Sequence, residues 1–262
     1  MPDTGGVPAT DLQRITAFRL SFARRQADVL AEVPGGVAVL DPQYAASHEH
    51  NQLIIDRAPA PAELSALAER ALGHLPYRRI TILDDAAGTA CAPALTAADY
   101  IHDIELVMTH SGTTAVPATF ADPVTVPELR PALIHRLCAW MPQTSGDVIY
   151  QLADRRTARL RGADQVRFLA VREKNGTIAS WADLYLDPAQ GIAQIEDLMT
   201  AEAYTRRGYA DTVLATALHQ ATDYGLVFLL AEADDWPRTW YARRGFTPIG
   251  RSHVFTRPEA IA

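Results

Sequence analysis

Residues 194–210 read QIEDLMTAEAYTRRGYA, and the rest of the chain is best understood outward from them. The segment 193–199 has the apolar content of a strand. Thr205-Arg206-Arg207-Gly208 is a turn. Tyr209 then opens a segment that sets Ala210, Val213, Leu214, Ala217 and Leu218 on one helical face. A strand that feeds a Gly-containing turn at a helix start makes an anion site. The first N–H groups of the helix have no internal acceptor, and its positive end faces the same way. Gly208 lets backbone approach a phosphate closely, Ala210 is small to the same effect, and Arg206 and Arg207 add charge at the rim. In isolation the same residues read equally well as an ordinary Arg-Arg-Gly turn, so the neighbours decide.

Downstream, 226–231 (LVFLLA) reads as a buried strand. The segment 236–244 is a helix carrying Tyr241, stopped by Gly245-Phe246, and 250–256 is a last strand. Upstream, 167–172 and 178–186 flank Asn175-Gly176, a strong hairpin signal. The segments 127–140 and 148–160 are helical, the second with Arg155, Arg156, Arg159 and Arg161 on its solvated end. In the first half, 12–32 has near-helical apolar spacing, as one helix or a broken one, and is stopped by Pro34-Gly35-Gly36. Strands follow at 37–40 and 52–56, a helix at 61–72 with Pro61 in its first turn and Gly73 just past its end, a strand at 79–83, a short helix at 92–99 and a strand at 101–108. Antiparallel hairpins mixed with strand–helix–strand crossovers exclude a long parallel sheet of the dinucleotide-binding kind.

With these residues in hand, the second half resembles the GCN5-related N-acetyltransferase family. Gly208 and Ala210 match the family's Gly-x-Gly/Ala turn after its fourth strand, with Thr205 standing where Arg or Gln is usual; its side chain is expected to cap the helix instead. Tyr241 lies four residues before Gly245, as the family requires. The resemblance covers about 124–256. It implies acetyl-CoA as donor, held by Arg206, Arg207, Gly208, Tyr209 and Ala210. It also implies a pantetheine arm lying between strands 193–199 and 226–231 against backbone groups of Leu198, Met199 and Thr200. An N–H of Leu198 or Met199 would face the oxyanion. Tyr241 is the candidate acid for the leaving thiolate, against a bland reading as a core aromatic beside Trp240 and Phe246. For the base, Glu196 and Asp197 are adjacent and strand alternation lets one of them face the acceptor; Glu196, acting through water, is preferred, and Glu232 at the end of the fifth strand is the other candidate.

The first half repeats the later rhythm of the second. It is therefore expected to be a degenerate acetyltransferase-like copy, its anion turn spoiled by Pro59 and Pro61, which remove N–H donors. The expected fold is α/β (α+β): two acetyltransferase-like domains, 1–120 and 121–262, each with its own mixed, mostly antiparallel sheet flanked by helices. The stretch 111–127, SGTTAVPATFADPVTVP, would link them. The first copy would wall the acceptor side.

Composition bounds the rest. The chain has 262 residues, 48% of them hydrophobic and 21% charged, which suits a globular protein with a substantial core. The net charge is -7 and argues against nonspecific nucleic-acid binding. The deficit sits in residues 1–122, with 15 acids against 8 arginines, and a negative field attracts a cationic amine. No apolar run is long enough for a membrane span, and the N-terminus lacks the pattern of a signal peptide. Two cysteines without a CxxC suit a reduced, cytoplasmic protein. His48-Glu49-His50 is the one tight histidine cluster, and no metal site is expected. The leading expectation is an acetyl-CoA-dependent N-acetyltransferase of a small-molecule or peptide amine, with no nucleic-acid or membrane partner and compatible with a homodimer. The alternative is a non-catalytic acetyl-CoA-binding or regulatory module.

Overall fold

The computed structural model describes residues 9–57 and 60–258. In chain order the elements are α1 (Asp11–Gln26), β1 (Val29–Val33), β2 (Gly36–Leu40), β3 (Gln52–Ile55), α2 (Pro61–Leu72), β4 (Tyr77–Ile82), α3 (Asp85–Thr96) and β5 (Ile101–His110). Then come β6 (Asp122–Val124), α4 (Val126–Trp140), α5 (Gly146–Asp154), α6 (Arg156–Arg159), β7 (Gln165–Arg172), β8 (Ile178–Asp187) and β9 (Ile192–Thr200). The chain ends with α7 (Tyr209–Gln220), β10 (Leu226–Glu232), α8 (Pro237–Ala242) and β11 (Phe246–Pro258).

Local chemistry accounts for many of these bounds. Thr10 and Gln13 form a capping box at the start of α1, and Thr125 and Glu128 form another at α4. Pro61 sits in the first turn of α2. Gly176, at φ 86°, turns β7 into β8. The helix expected over 12–32 ends earlier, at Gln26. Val29–Val33 instead pairs antiparallel with β2 around Gly35, at φ 79°. Pro34-Gly35 is therefore a hairpin turn, and the branched Val29 and Val33 suit a strand.

The expectation of two domains with a sheet each is overturned. One continuous sheet of 11 strands runs β1-β2-β3-β4-β11-β5-β10-β9-β8-β7-β6. The reason is an exchange of final strands. The last strand of the second half, β11, lies between β4 and β5 and pairs antiparallel with both. The last strand of the first half, β5, lies between β11 and β10. Each half thus completes its ladder only with a strand from the other, and backbone N–H and C=O groups along that boundary are satisfied across it. The tandem reading with a separate N-terminal domain falls with it. The expected linker 111–127 contains β6, which pairs with β7 at the sheet's edge. Pro59, one of the two prolines held to spoil the first half's turn, lies outside the described residues.

Two helical layers cover the sheet. On one face, here the back, α2 and α3 pack on Leu53, Ile55, Ile80, Ile82 and Phe255, while α7 packs on Leu184, Leu186, Ile195 and Leu229. On the front, Phe18 and Phe22 of α1 pack on Phe228 and Tyr185, with ring centroids 5.7 and 4.3 Å apart, and α4 and α5 cover Phe168 and Trp181. Between α1 and α6 the front of the sheet is polar. There it opens into a cavity of about 390 Å³, lined by both halves of the chain.

Candidate active site

β9 and β10 run parallel, but they pair only at Leu226↔Ile192, Val227↔Ala193 and Phe228↔Gln194. Beyond Gln194 the two strands separate. A bulge in β9 opens them: Asp197 sits at φ 49°, and the register against β8 shifts between Trp181 and Asp183. A bulge inserts a residue and re-aims side chains. Here it places Glu196 and Asp197 both on the cavity side, while Leu198 joins the back-face core beside Ile195. The simple alternation that would let only one of the two carboxylates face the acceptor is thus interrupted.

The backbone of the gap can be read from its neighbours. The Ala201 N–H donates to the Ala179 carbonyl at 2.9 Å, and the Met199 carbonyl accepts from Ser180 Oγ at 2.7 Å. Residues 199 and 201 therefore address β8. By strand alternation Leu198 and Thr200 turn their N–H and C=O groups into the gap. An extended chain with amide groups finds an open strand edge there.

The gap leads to the turn before α7. Gly208 is the N-cap of α7 at φ 84°, and a Cβ placed on it meets no atom within 4 Å. Arg206 is also left-handed, at φ 62°. The two left-handed residues bring the chain onto the helix axis with the N–H groups of its first turn free of intrahelical acceptors. Thr205 does not cap this helix: its hydroxyl donates to the Glu202 carbonyl at 3.0 Å. Arg207 pairs with Glu173 at 3.1 Å, and the Tyr209 hydroxyl donates to the same carboxylate at 2.8 Å. The open space at Gly208, the helix start and the separated strand edge leave room for an anion at the turn and for an extended amide chain along Leu198 and Thr200.

Arg156 and Arg159 were expected on a solvated helix end and are instead buried, 3% and 1% exposed. Arg156 bonds Asp183 at 3.0 Å and Asp197 at 2.8 Å. Arg159 bonds Asp183 at 2.6 Å, Asp197 at 2.7 Å and Glu49. Buried charge is tolerated only when paired and hydrogen-bonded. With Arg155 nearby, three guanidiniums face three carboxylates: Glu49, Asp183 and Asp197. Burial would raise the pKa of Asp197, but Arg159, Arg156 and Arg155 hold it far below the usual carboxylate range. Glu196 is the fourth carboxylate and has no guanidinium of its own. It accepts a hydrogen bond from the Gln194 amide. Burial, and then the charge on Asp197, push its pKa up to about 8.

Tyr241 stands on α8, buried behind the gap. Its ring meets Trp240 and Phe246 edge-on, with centroids 5.2 and 5.8 Å away. Its hydroxyl has no hydrogen-bond partner among the described residues, and burial, then the charges of Glu196 and Asp197, raise its pKa. Tyr241 is thus a packed core aromatic whose phenol feels both carboxylates at the bulge. Glu232, at the end of β10, lines the cavity. Its pKa is raised by burial, then by Asp235, Asp103 and Glu105.

Sequence reasoning did not place the opposite wall of the cavity: His48 and Glu49, read only as a histidine cluster without a metal, Arg155, read as solvated, and Arg79 on β4. A signal for part of it was present. Asp183 lies in the otherwise apolar run SWADLYL, and a carboxylate inside a fully buried strand demands cationic partners. Among the described residues no group of His, Cys, Asp and Glu could hold a metal ion, and no helix is long and apolar enough to cross a membrane.

Comparison with known proteins bears on this arrangement. Residues 132–246 match the family model described as the Acetyltransferase (GNAT) family. Among solved structures, a conserved protein of unknown function from Staphylococcus epidermidis superposes with a TM-score of 0.67 at 11% identity, over 90% of this chain and 95% of that one. A GCN5-related N-acetyltransferase from Kribbella flavida gives 0.63 at 17% identity, over 94% and 95%. A GCN5-related N-acetyltransferase from Sphaerobacter thermophilus gives 0.52 at 15%, over 97% and 94%. At such identities the structures speak for the fold alone. None of the curated proteins compared matches the chain. The family match spans the bulged strand, the Gly208 turn and the Tyr241 helix, the segment in which this chain is similar to acetyl-CoA-dependent N-acetyltransferases, and the solved structures extend the GNAT fold over nearly the whole chain.

Proposed function

We propose that the amine acceptor binds in the front cavity between the two halves and reacts at the β9 bulge. Residues 121–262 hold the donor, and residues 1–120 wall the acceptor side. Acetyl-CoA supplies an acetyl group activated as a thioester. The residues of the chain then divide the work. Gly208, Tyr209 and Ala210 offer first-turn N–H groups to the pyrophosphate, with Arg206 and Arg207 at the rim. Leu198 and Thr200 hold the pantetheine amides, and the Leu198 N–H faces the acetyl oxygen as negative charge develops there; Met199 supports that edge from the β8 side.

Transfer to an amine needs a base and profits from an acid. Glu196, when ionised, takes the ammonium proton directly or through one water. Its raised pKa suits the task, because a base works best with a pKa near the operating pH. The freed amine attacks the acetyl carbon, the carbon–sulfur bond breaks, Tyr241 gives its proton to the leaving sulfur, and the second proton shed by the new amide nitrogen restores the phenol. Glu232 contributes negative charge to the amine's end of the cavity. The observation that carries this reading is Glu196: a carboxyl without a guanidinium partner, beside the gap, in a cluster where every other carboxylate has one. A cavity of about 390 Å³ suits a small-molecule amine or a peptide end. The test is thiol release from acetyl-CoA across a panel of amines, run with Glu196→Gln and Tyr241→Phe. Turnover in the parent chain that drops in both variants supports the assignment. Full turnover in Glu196→Gln removes Glu196 as the base.

A further inference from the structure

Four arginines line the front cavity, and they differ in how they are satisfied. Arg19 pairs with Glu105 at 3.0 Å and donates to Ser252 Oγ at 3.0 Å. Arg159 is saturated by Glu49, Asp183 and Asp197. Arg155 is held loosely: its closest carboxylates, Glu49 and Asp197, stand 3.9 Å away, it reaches Ser47 Oγ at 3.4 Å, and its buried Nε has no acceptor. Arg79 makes no hydrogen bond or ion pair among the described residues, and its Nε is likewise buried without an acceptor. Its neighbour on the same face of β4, Thr81, is satisfied by donating to Gln52 Oε1 at 2.6 Å.

The two under-satisfied guanidiniums act on one place. His48, which also lines the cavity, is held neutral by burial and then by the charges of Arg79 and Arg155, its pKa pushed down to about 4. Its ring rests on Tyr77, with centroids 3.9 Å apart. Arg79, Arg155 and His48 therefore form a donor-rich, cationic side to the cavity, while Glu196 lies at the β9–β10 gap and Glu232, at the end of β10 beside β5, feels the charge of Arg79 without an ion pair to it. A buried N–H without an acceptor is costly, more so when charged, and two such groups facing one cavity call for a shared acceptor.

Resting on the reading of this cavity as the acceptor site, we propose that the acceptor carries a carboxylate besides its amine, and that Arg79 and Arg155 bind it. A carboxylate is favoured over a phosphate because the uncompensated charge is at most one: Arg79 has no ion pair and only the more distant Glu232 to offset it, and Arg155 already has two distant carboxylates. A planar carboxylate also matches the fork of a guanidinium. The substrate class is then an amino acid or a related amino carboxylate, amine toward Glu196 and carboxylate toward β4.

The test uses pairs of amines that differ only in the far group. Glycine, β-alanine and 4-aminobutyrate are each compared with their carboxamides, and phosphoethanolamine is a further arm. Binding is measured by calorimetry on the full chain with saturating coenzyme A, which occupies the phosphate turn, and turnover by thiol release. For at least one chain length the carboxylate should bind tenfold or more tightly than its carboxamide. Arg79→Gln should bring that ratio close to one, and Arg79→Lys should restore part of it. Because the Arg79 side chain makes no hydrogen bond or ion pair among the described residues, a thermal melt should show Arg79→Gln folded; Arg155→Gln is the second variant. Three results overturn the inference: no carboxylate preferred over its carboxamide, a preference that survives both Arg79→Gln and Arg155→Gln, or phosphoethanolamine binding more tightly than every carboxylate. Carboxamides acetylated as well as carboxylates would sink this inference and leave acetyl transfer standing. Carboxylate-selective, Arg79-dependent binding with no thiol release from any amine would sink the proposed transfer chemistry and leave the subsite standing.

Discussion

The sheet contains two parallel strand pairs, each joined by a crossover helix, and they are built alike up to a point. β3 pairs with β4 at Leu53↔Ile80, Ile54↔Thr81 and Ile55↔Ile82, which brings both strands to their ends, and the Leu83 N–H still reaches the Ile55 carbonyl at 2.9 Å. β9 pairs with β10 over as many residues, but it then runs on to Thr200 with a bulge at Asp197 while β10 runs on to Glu232. α2 starts on Ala60 and Pro61 with no side-chain cap, whereas α7 starts on a left-handed Gly208 with open space in front of it. One pair is closed by its own ladder. The other leaves strand edges and a helix start free for a ligand. Equal topology therefore does not make equal sites; chain length past the last pair and one bulge separate them.

The comparison breaks most visibly if chemistry does not depend on the residues of the open pair. Glu196→Gln keeps the shape and removes the base, and kcat should fall by roughly 100- to 10,000-fold. The pH profile sharpens the point. The ionised form of Glu196 is the active one, and its pKa is raised by burial and by Asp197, so activity should climb with pH through the range near 8. A profile that is flat from pH 6 to 9, with chemistry rate-limiting, would exclude Glu196 as the base. Tyr241→Phe keeps the ring against Trp240 and Phe246 and removes the hydroxyl alone. A thiol leaves fairly well unaided, so kcat should fall by roughly 10- to 1000-fold with little change in acetyl-CoA affinity. Full activity would reduce Tyr241 to a packing residue.

The charge cluster behind the bulge gives a stability test. Asp183 is fully buried between Arg156 and Arg159. Asp183→Ala should destabilise the fold by about 3–5 kcal/mol, since it strands buried guanidinium charge. A urea melt within about 1 kcal/mol of the parent would show that Arg156 and Arg159 are held by Asp197 and Glu49 alone.

Much of the open pair was legible in the sequence. Gly208 and the helix after it, LVFLLA, and the Asn175-Gly176 hairpin are local signals, each set by backbone chemistry within a few residues, and the helix at 61–72 was read to the residue. What failed was non-local. The bulge at Asp197 leaves no trace in composition, because an inserted residue looks like any other until its partner strand is known. Arg156 and Arg159 look solvated beside other arginines until Asp183 and Asp197 are brought across from two different strands. The exchange of β5 and β11 depends on which strand pairs with which, and both orders satisfy the same apolar alternation. Val29–Val33 failed for a different reason: its apolar spacing fits a helix, and only pairing with β2 decides for a strand.

The central claim is that a single donor site lies at the open pair, and titration calorimetry of acetyl-CoA into the full chain tests it most directly. One molecule should bind per chain, and Gly208→Asp should weaken it at least tenfold, about 1.4 kcal/mol. That change places a side chain and a negative charge in the open space at a backbone conformation of φ 84°. Two molecules per chain, or unchanged affinity in a folded Gly208→Asp variant, would contradict the account.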